Sequence, residues 1–433
     1  MLKRTAFQLS IFALLQGFQA KVSCFSSPST SKKILVCFDG SACSPEFNCP
    51  DEDLDKNYSN VLKLHCLAGG SINEKKMKYD GISDNQVSLY VRGVGENNEF
   101  WLNTLNGIIS KLFRKKVLDT GLNAVFGDID VPIKLMHEQL SETIESEDDK
   151  IYIFGFSRGS ATARKYANIL NNKGIQTTSG VTIKPKIRFL GCWDTVSSQL
   201  GANWFQLIRN KAKRRLPSTK ILLEEDGYVA DNVENAVHVV SLDDARMWNL
   251  YTPTLMGEEK KVEEVWFPGE HGDIGGGYWN RGLNDNSFAY MKNWVTTRLG
   301  EDNLEFLESD EVNEEALKSS KEAGKNAKPE DLKILANSAM ASHCEASRLD
   351  NRVVCVSESS SLAESKKTVK IHVSVLDHLQ SFKSKEKYLI NPGLKDVKDF
   401  VVVGADGEVL EGKADELRKE LETYPWDKRM LTK

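Results

Sequence analysis

Residues 151–159 read Ile-Tyr-Ile-Phe-Gly-Phe-Ser-Arg-Gly, a largely apolar run that ends in a Gly-x-Ser-x-Gly turn. A buried strand that bends sharply at this point carries the hydroxyl of Ser157 at the tip of the bend. Gly155 and Gly159 are small where strand and following helix meet, which lets the two backbones close on each other. The next residues, Ser160-Ala161-Thr162-Ala163-Arg164-Lys165-Tyr166-Ala167, suit a helix whose first amides point back at the serine. The bare pattern occurs by chance in long chains. The apolar strand before it and the small-residue helix after it make it specific: this is a nucleophile elbow.

Working outward from the elbow, short apolar runs alternate with longer amphipathic ones, the pattern of parallel strands joined by helices. Strands are predicted over 33–38, ending in Asp39-Gly40-Ser41; over 87–91; over 187–192, ending in Trp193-Asp194-Thr195; and over 236–242, ending in Asp243-Asp244. A last one, 262–267, runs into Pro268-Gly269-Glu270-His271-Gly272-Asp273 and a cluster of glycines. Helices are predicted over 107–118 and 131–144, and another capped by Asn284 or Asp285 and running through Trp294 and Thr297. The polar clusters that follow these strands stand at carboxyl ends, the rim where open parallel sheets build their sites. The expected fold is α/β: an α/β-hydrolase-like, mostly parallel sheet flanked by helices over 32–300. After Gly300 the chain turns rich in Glu, Lys, Asn and Ala, and 301–433 reads as an accessory segment packed on that core. Within it, 369–379 is the most structured stretch, and Asp406-Gly407 suggests a hairpin turn.

A serine hydroxyl needs a base, and the base needs a carboxylate to hold its tautomer. In this architecture the chain order is serine, acid, histidine. His271 follows a strand beyond the elbow in a glycine-rich turn and is the candidate base. His238 lies inside an apolar strand and reads as a core histidine; His372 is a weaker candidate base. The acid is Asp194 or, after the next strand, Asp243 or Asp244. Asp273 is too close to His271 in sequence to orient it and is expected to fix the glycine loop. The oxyanion needs two N–H donors, worth about 2.7–4 kcal/mol each. The amides of Arg158 and Ser41 are the candidates, with Gly40 allowing close approach and Asp39 holding its loop by local hydrogen bonds. A phosphoaspartyl reading of Phe38-Asp39-Gly40-Ser41 fails because Cys37 stands where a second aspartate is wanted. The Arg158 side chain has two readings, an ion pair that locks the elbow or a contact with an anionic substrate group.

The composition narrows the partners. Lys and Arg number 57 against 62 Asp and Glu, so no chain-wide basic excess exists to neutralise nucleic acid phosphates. Basic runs at 111–116 and 211–215 read as solvated faces or as contacts to anionic lipid. The stripe Trp101, Leu102, Leu105, Ile108, Ile109, Leu112 and Phe113 has helical spacing and suits a core helix, with a lid or lipid-facing stripe as the alternative. Lys3 and Arg4 before an apolar Phe7–Phe18 run fit a signal peptide over 1–23 and a secreted or periplasmic protein, with a cytoplasmic chain as the alternative. The cysteines form no paired Cys-x-x-Cys units, so no zinc site is expected, and the triad needs no metal or organic cofactor. Cys43 with Cys49 and Cys344 with Cys355 are the local pairs to test for disulfides; Cys37 and Cys192 sit in strand runs and read as buried hydrophobes.

Phe-Asp-Gly-Ser at 38–41, Gly-Phe-Ser-Arg-Gly-Ser at 155–160, Cys-Trp-Asp-Thr-Val at 192–196, Ser-Leu-Asp-Asp-Ala-Arg at 241–246 and the long 266–278 motif occur together. In this combination the chain resembles the catalytic domain of the type VI secretion phospholipase effectors, over about 32–300. The resemblance implies an α/β-hydrolase fold and phospholipase A-type ester hydrolysis by Ser157, Asp194 and His271, and it favours Asp194 over Asp243 as the acid. The expected activity is a serine hydrolase on lipid or other acyl esters, with peripheral membrane contact and no nucleic acid. The alternatives are acyl transfer or thioester hydrolysis on the same fold, or a binding module that kept it.

Overall fold

The computed structural model describes residues 31–41, 43–45, 50–72, 82–93, 129–196, 229–244, 253, 255–257, 260–318, 328–340, 342–343, 354, 368–381, 390–397 and 399–424. Its strands are β1 (Lys33–Phe38), β2 (Gln86–Val91), β3 (Lys150–Phe156), β4 (Ile175–Gln176), β5 (Thr182–Ile183), β6 (Ile187–Trp193), β7 (Ala236–Ser241), β8 (Val262–Phe267), β9 (Val369–His372) and β10 (Phe400–Val403). β4 and β5 form a small antiparallel pair. The other eight form one sheet in the order β10-β9-β8-β7-β6-β3-β1-β2, and each of its pairings is parallel.

Near-continuous apolar runs are what a parallel sheet covered on both faces requires. In β1 the period of two is visible residue by residue. Leu35 and Cys37 point into a core completed by α1 (Asn60–Leu67), while Ile34, Val36 and Phe38 face α2 (Asp130–Thr143) and α3 (Arg158–Lys173). The short α4 (His271–Gly275) follows β8, and α5 (Gly282–Thr297) joins α1 on the first face through Phe288, Met291 and Trp294. From β1 the chain goes to β2 on one side and, later, to β3 on the other, so the sheet reverses direction at β1. That switch point places the loop after β1 beside the turn after β3.

The sequence-based strands agree with the sheet to within a residue or so. The start of α5 differs. Asn284 and Asp285 lie in its first turn, and Arg281 stands at the cap position without a side-chain capping bond. Their side chains are taken by tertiary partners instead. Asn284 Nδ2 donates to Asn60 Oδ1 at 3.0 Å, and Asp285 accepts from the buried Lys63 ammonium at 2.9 Å and from the Leu335 amide at 2.6 Å.

The C-terminal stretch does more than lie on the core. β9 joins the edge of β8 through Val265↔Lys370 and Trp266↔Ile371, and β10 extends it. With α6 (Ser374–Ser381) and α7 (Lys413–Thr423) these strands build a third apolar cluster around Trp266 and Val240. Lys32–Lys433 forms one unit. The tight turn at Asp406-Gly407 is present, closed by a single antiparallel bridge between Val403 and Val409.

The expected signal peptide, the 101–113 stripe, the helix at 107–118, both basic runs, and Cys49, Cys344 and Cys355 lie outside the described residues. Cys37 and Cys192 are buried strand residues as expected, and burial pushes the Cys192 thiol up to about 11. Among the described residues no helix is long and apolar enough to cross a membrane.

Candidate active site

β3 ends at Phe156 and α3 begins at Arg158, leaving Ser157 alone in the bend with φ 57° and ψ −123°. A residue with a Cβ pays for that conformation, and the surroundings must enforce it. They do so by contact. A Cβ on Gly155 would lie 2.5 Å from Gly159 O, and one on Gly159 would lie 2.3 Å from both Phe38 O and Asp39 O. The two glycines therefore let the elbow close on itself and on the loop after β1. The Ser157 amide donates to Trp193 O at 2.9 Å, tying the elbow to β6.

β6 delivers the acid. Asp194 is fully buried and also left-handed, at φ 42°. Its Oδ1 accepts from the Ser241 amide at 3.0 Å, and its Oδ2 lies 2.5 Å from His271 Nδ1. His271 opens α4, and its Nε2 lies 2.8 Å from Ser157 Oγ. The ring packs against Phe156 at 4.7 Å between centroids. An ionised carboxylate only accepts, so Nδ1 carries the proton and Nε2 offers its lone pair to the serine hydroxyl. The histidine and two side chains 77 and 114 positions away from it thus form one hydrogen-bonded line.

The glycine-rich turn bearing His271 is a capped helical turn. Glu270 and Asp273 form a capping box, with the Glu270 amide donating to Asp273 Oδ2 at 2.9 Å. Asp273 fixes the turn as expected, and it has a partner the sequence did not reveal: His343, whose Nδ1 lies 2.5 Å from Asp273 Oδ1. The second nitrogen of His343 lies 3.0 Å from Asp55 Oδ2, and its ring stacks on Tyr278 at 3.8 Å.

Asp243, one alternative acid, is engaged elsewhere. Its Oδ2 accepts from the Gly269 amide at 2.7 Å and its Oδ1 from the Asn391 amide at 2.8 Å, so it braces the approach to His271 against the C-terminal segment. Asp244 is buried nearby. Asp194, Asp244 and His271 each bring a ligand-type atom within 4.8 Å of the others, but the two histidine nitrogens face Asp194 and Ser157. The structure brings Asp194, rather than Asp243 or Asp244, to Nδ1.

On the loop after β1, Asp39 Oδ1 accepts from the Gly40 amide at 2.7 Å, the local bond expected of it. Its Oδ2 accepts from Tyr90 Oη at 2.6 Å. Burial, and then the Asp39 charge, hold the Tyr90 phenol well above its ordinary pKa, so it remains a donor. A Cβ at Gly40 would lie 2.5 Å from Phe156, and one at Gly93 only 1.5 Å from Gly40 O. Tyr90 and Gly93 sit at or just beyond the end of β2, where no motif marks them. The Arg158 side chain donates through Nε to Ser41 Oγ, which joins elbow and loop directly. His372 is far from this chemistry in kind. Its Nδ1 pairs with Ser374 Oγ at 2.8 Å, its ring stacks on Phe267, and burial lowers its pKa to about 3.

A parallel sheet with helices on both faces, a strained serine between β3 and α3, and a histidine and a carboxylate from later strand ends define an α/β-hydrolase-like protein. More narrowly, the family model of the "T6SS, Phospholipase effector Tle1-like, catalytic domain" matches residues 32–182 and 176–294, and the chain belongs to that family. No curated protein matches it. Among solved structures it is similar to an uncharacterized protein from Pseudomonas aeruginosa, with 18% identity and a TM-score of 0.34, over 65% of this chain and 48% of that one. It is also similar to the Tle1 effector bound to the VgrG spike from the Type 6 secretion system, with 21% identity and a TM-score of 0.32, over 58% and 52%. A third is the RedJ thioesterase from the prodiginine biosynthetic pathway in Streptomyces coelicolor, with 13% identity and a TM-score of 0.27, over 61% and 91%. The match spans about half the length of the first two chains.

Proposed function

We propose that the protein is a serine hydrolase that cleaves acyl esters of lipids, with phospholipids as the substrate class. The observation that carries this reading is the unbroken line from Ser157 Oγ through His271 to Asp194, at 2.8 and 2.5 Å. Membership of a phospholipase effector family supports the choice of lipid.

Ser157 Oγ attacks the ester carbonyl as His271 Nε2 takes its proton. Asp194 stabilises the resulting imidazolium through Nδ1–H. The amides of Arg158 and Ser41 receive the negative charge on the carbonyl oxygen. Collapse breaks the bond to the alcohol, which leaves with the proton returned from Nε2, and Ser157 retains the acyl group. Water then repeats the sequence with His271 as base and releases the fatty acid.

A fluorophosphonate probe followed by peptide mapping tests the nucleophile. The expected outcome is a tag on Ser157 in the native chain and none in Ser157→Ala; a tag elsewhere, or none, sinks the proposal. Product analysis with phospholipid, p-nitrophenyl ester and acyl thioester separates ester hydrolysis from thioester hydrolysis and acyl transfer. Export is part of the same proposal, supported by the Lys3-Arg4 and Phe7–Phe18 pattern. N-terminal sequencing of protein recovered outside the cytoplasm tests it, with a start close to residue 21 or 24 as the expected result.

A further inference from the structure

The turn after β6 makes an uncommon demand, because the residue that carries the acid is itself left-handed. Three successive amides hold it there. The Asp194 amide donates to Val239 O at 2.7 Å, the Thr195 amide to His238 Nε2 at 2.9 Å, and the Val196 amide to Ser157 O at 3.2 Å. The middle bond differs from the others in using a side chain where a carbonyl would serve. An amide N–H only donates, so Nε2 of His238 must present a lone pair and the ring proton must sit on Nδ1. Nδ1 lies 2.8 Å from Glu264 Oε1, which also accepts from the Met256 amide at 2.7 Å.

These residues stand in register. Cys192 of β6 pairs with His238 of β7, and His238 with Glu264 of β8. A second carboxylate–imidazole pair therefore spans two adjacent strands, β8 and β7, beside the Asp194–His271–Ser157 line, and it ends on the peptide that joins Asp194 to Thr195 in the turn after β6. We propose that His238, with its tautomer fixed by Glu264, is a positioning residue that sets the Asp194–Thr195 peptide and so aims the Asp194 carboxylate at His271. The inference rests on the proposed roles of Ser157, His271 and Asp194. It assigns His238, fully buried inside an apolar strand, a part in the chemistry through another residue.

The sign of its effect follows. A well-aimed Asp194 favours the imidazolium of His271; a loosened one lets the ring lose its proton at lower pH. Among the described residues, Asp244 beyond β7 brings a carboxylate close to that ring, Arg158 follows Ser157, and Glu270 and Asp273 lie on the histidine's own turn. None of them is altered in the variants that follow. A histidine that only filled space would, when replaced, lower the melting temperature and leave the pH profile in place.

The test is the rate of fluorophosphonate labelling of Ser157 across pH, with thermal melting alongside. Gln at 238 can present an amide oxygen near the position of Nε2, whereas Asn is too short to reach Thr195. His238→Asn is expected to label about tenfold more slowly, with its acid limb moved to lower pH by roughly half a unit. His238→Gln is expected to keep the native limb and a rate within about threefold. A folded His238→Asn protein with native rate and limb overturns the inference. Should that variant fail to melt cooperatively, Glu264→Leu decides, since it frees the tautomer; the expected limb shift is in the same direction and smaller, and an unmoved limb overturns the proposal. Absence of any label on native Ser157 would overturn the serine reading and this inference together, so the two failures are distinct.

Discussion

His271 and His343 begin alike and end differently. Each sets Nδ1 2.5 Å from a carboxylate oxygen, Asp194 in one case and Asp273 in the other. The second nitrogen of His271 meets a hydroxyl, and that of His343 meets another carboxylate, Asp55. A hydroxyl can donate, so His271 is satisfied as the neutral ring and is free to take a proton. Two carboxylates can only accept, so His343 is satisfied only as the imidazolium. Burial lowers its pKa, but Asp273 and then Asp55 outweigh that effect and the net shift is upward. The same side chain with the same kind of first partner is thus suited to take up a proton at one place and biased toward its charged form at the other, and the second partner decides which.

The sharpest break of this comparison is at His271 and its two partners. Ser157→Ala should reduce hydrolysis of a short-chain acyl ester by about 10^6-fold. Asp194→Asn should keep the hydrogen-bonded shape and lose the tautomer, with kcat falling by about 10^4-fold. If initial rates for Asp194→Asn stay within tenfold of native, His271 has another acid, and Asp244 is the one in place.

At His343 the expected effects are on stability and depend on pH. His343 has its pKa raised on folding, so its contribution is whole below the unfolded value of about 6.5 and fades as pH rises through the folded value. His343→Gln should therefore lose about 1–2 kcal/mol relative to native at pH 5 and little at pH 9, measured by denaturant unfolding. A loss that grows with pH would mean the ring folds neutral. Asp55→Asn should be the mildest, a few tenths of a kcal/mol in the same assay. The Asp55 side chain is 39% exposed, and Asn keeps an acceptor for the Trp279 and Asn280 amides.

What could be read in advance follows the range of the interactions involved. Ser157 was legible because the close approach its bend requires falls on neighbours two residues away, Gly155 and Gly159. The strands were legible because a sheet covered on both faces writes an apolar run into each of them. The choice between Asp194 and Asp243 was not decided by local pattern, since both stand at strand ends. It is decided by the left-handed turn at Asp194, which sends its side chain toward His271 while Asp243 caps Gly269. Asn284 and Asp285 are good capping residues by type, yet partners on α1 and at Leu335 claim them. Tyr90 reaches Asp39 across the β1–β2 pair, and His343 comes from a polar stretch 70 residues beyond Asp273, so neither leaves a local mark.

The join between β8 and β9 bears on how the gene could be cut. The family match ends at residue 294, but the sheet continues for two more strands. A fragment stopped there would retain Ser157, Asp194 and His271 and expose the flank of β8, with a row of vacant donors and acceptors around Trp266 inviting other chains to pair. It would also lose Asn391, whose amide and side chain hold Asp243 and Leu242 on the approach to His271. The shorter piece would be prone to stick to its own copies, and a fragment that keeps the sheet edge and its apolar cluster covered runs on through α7.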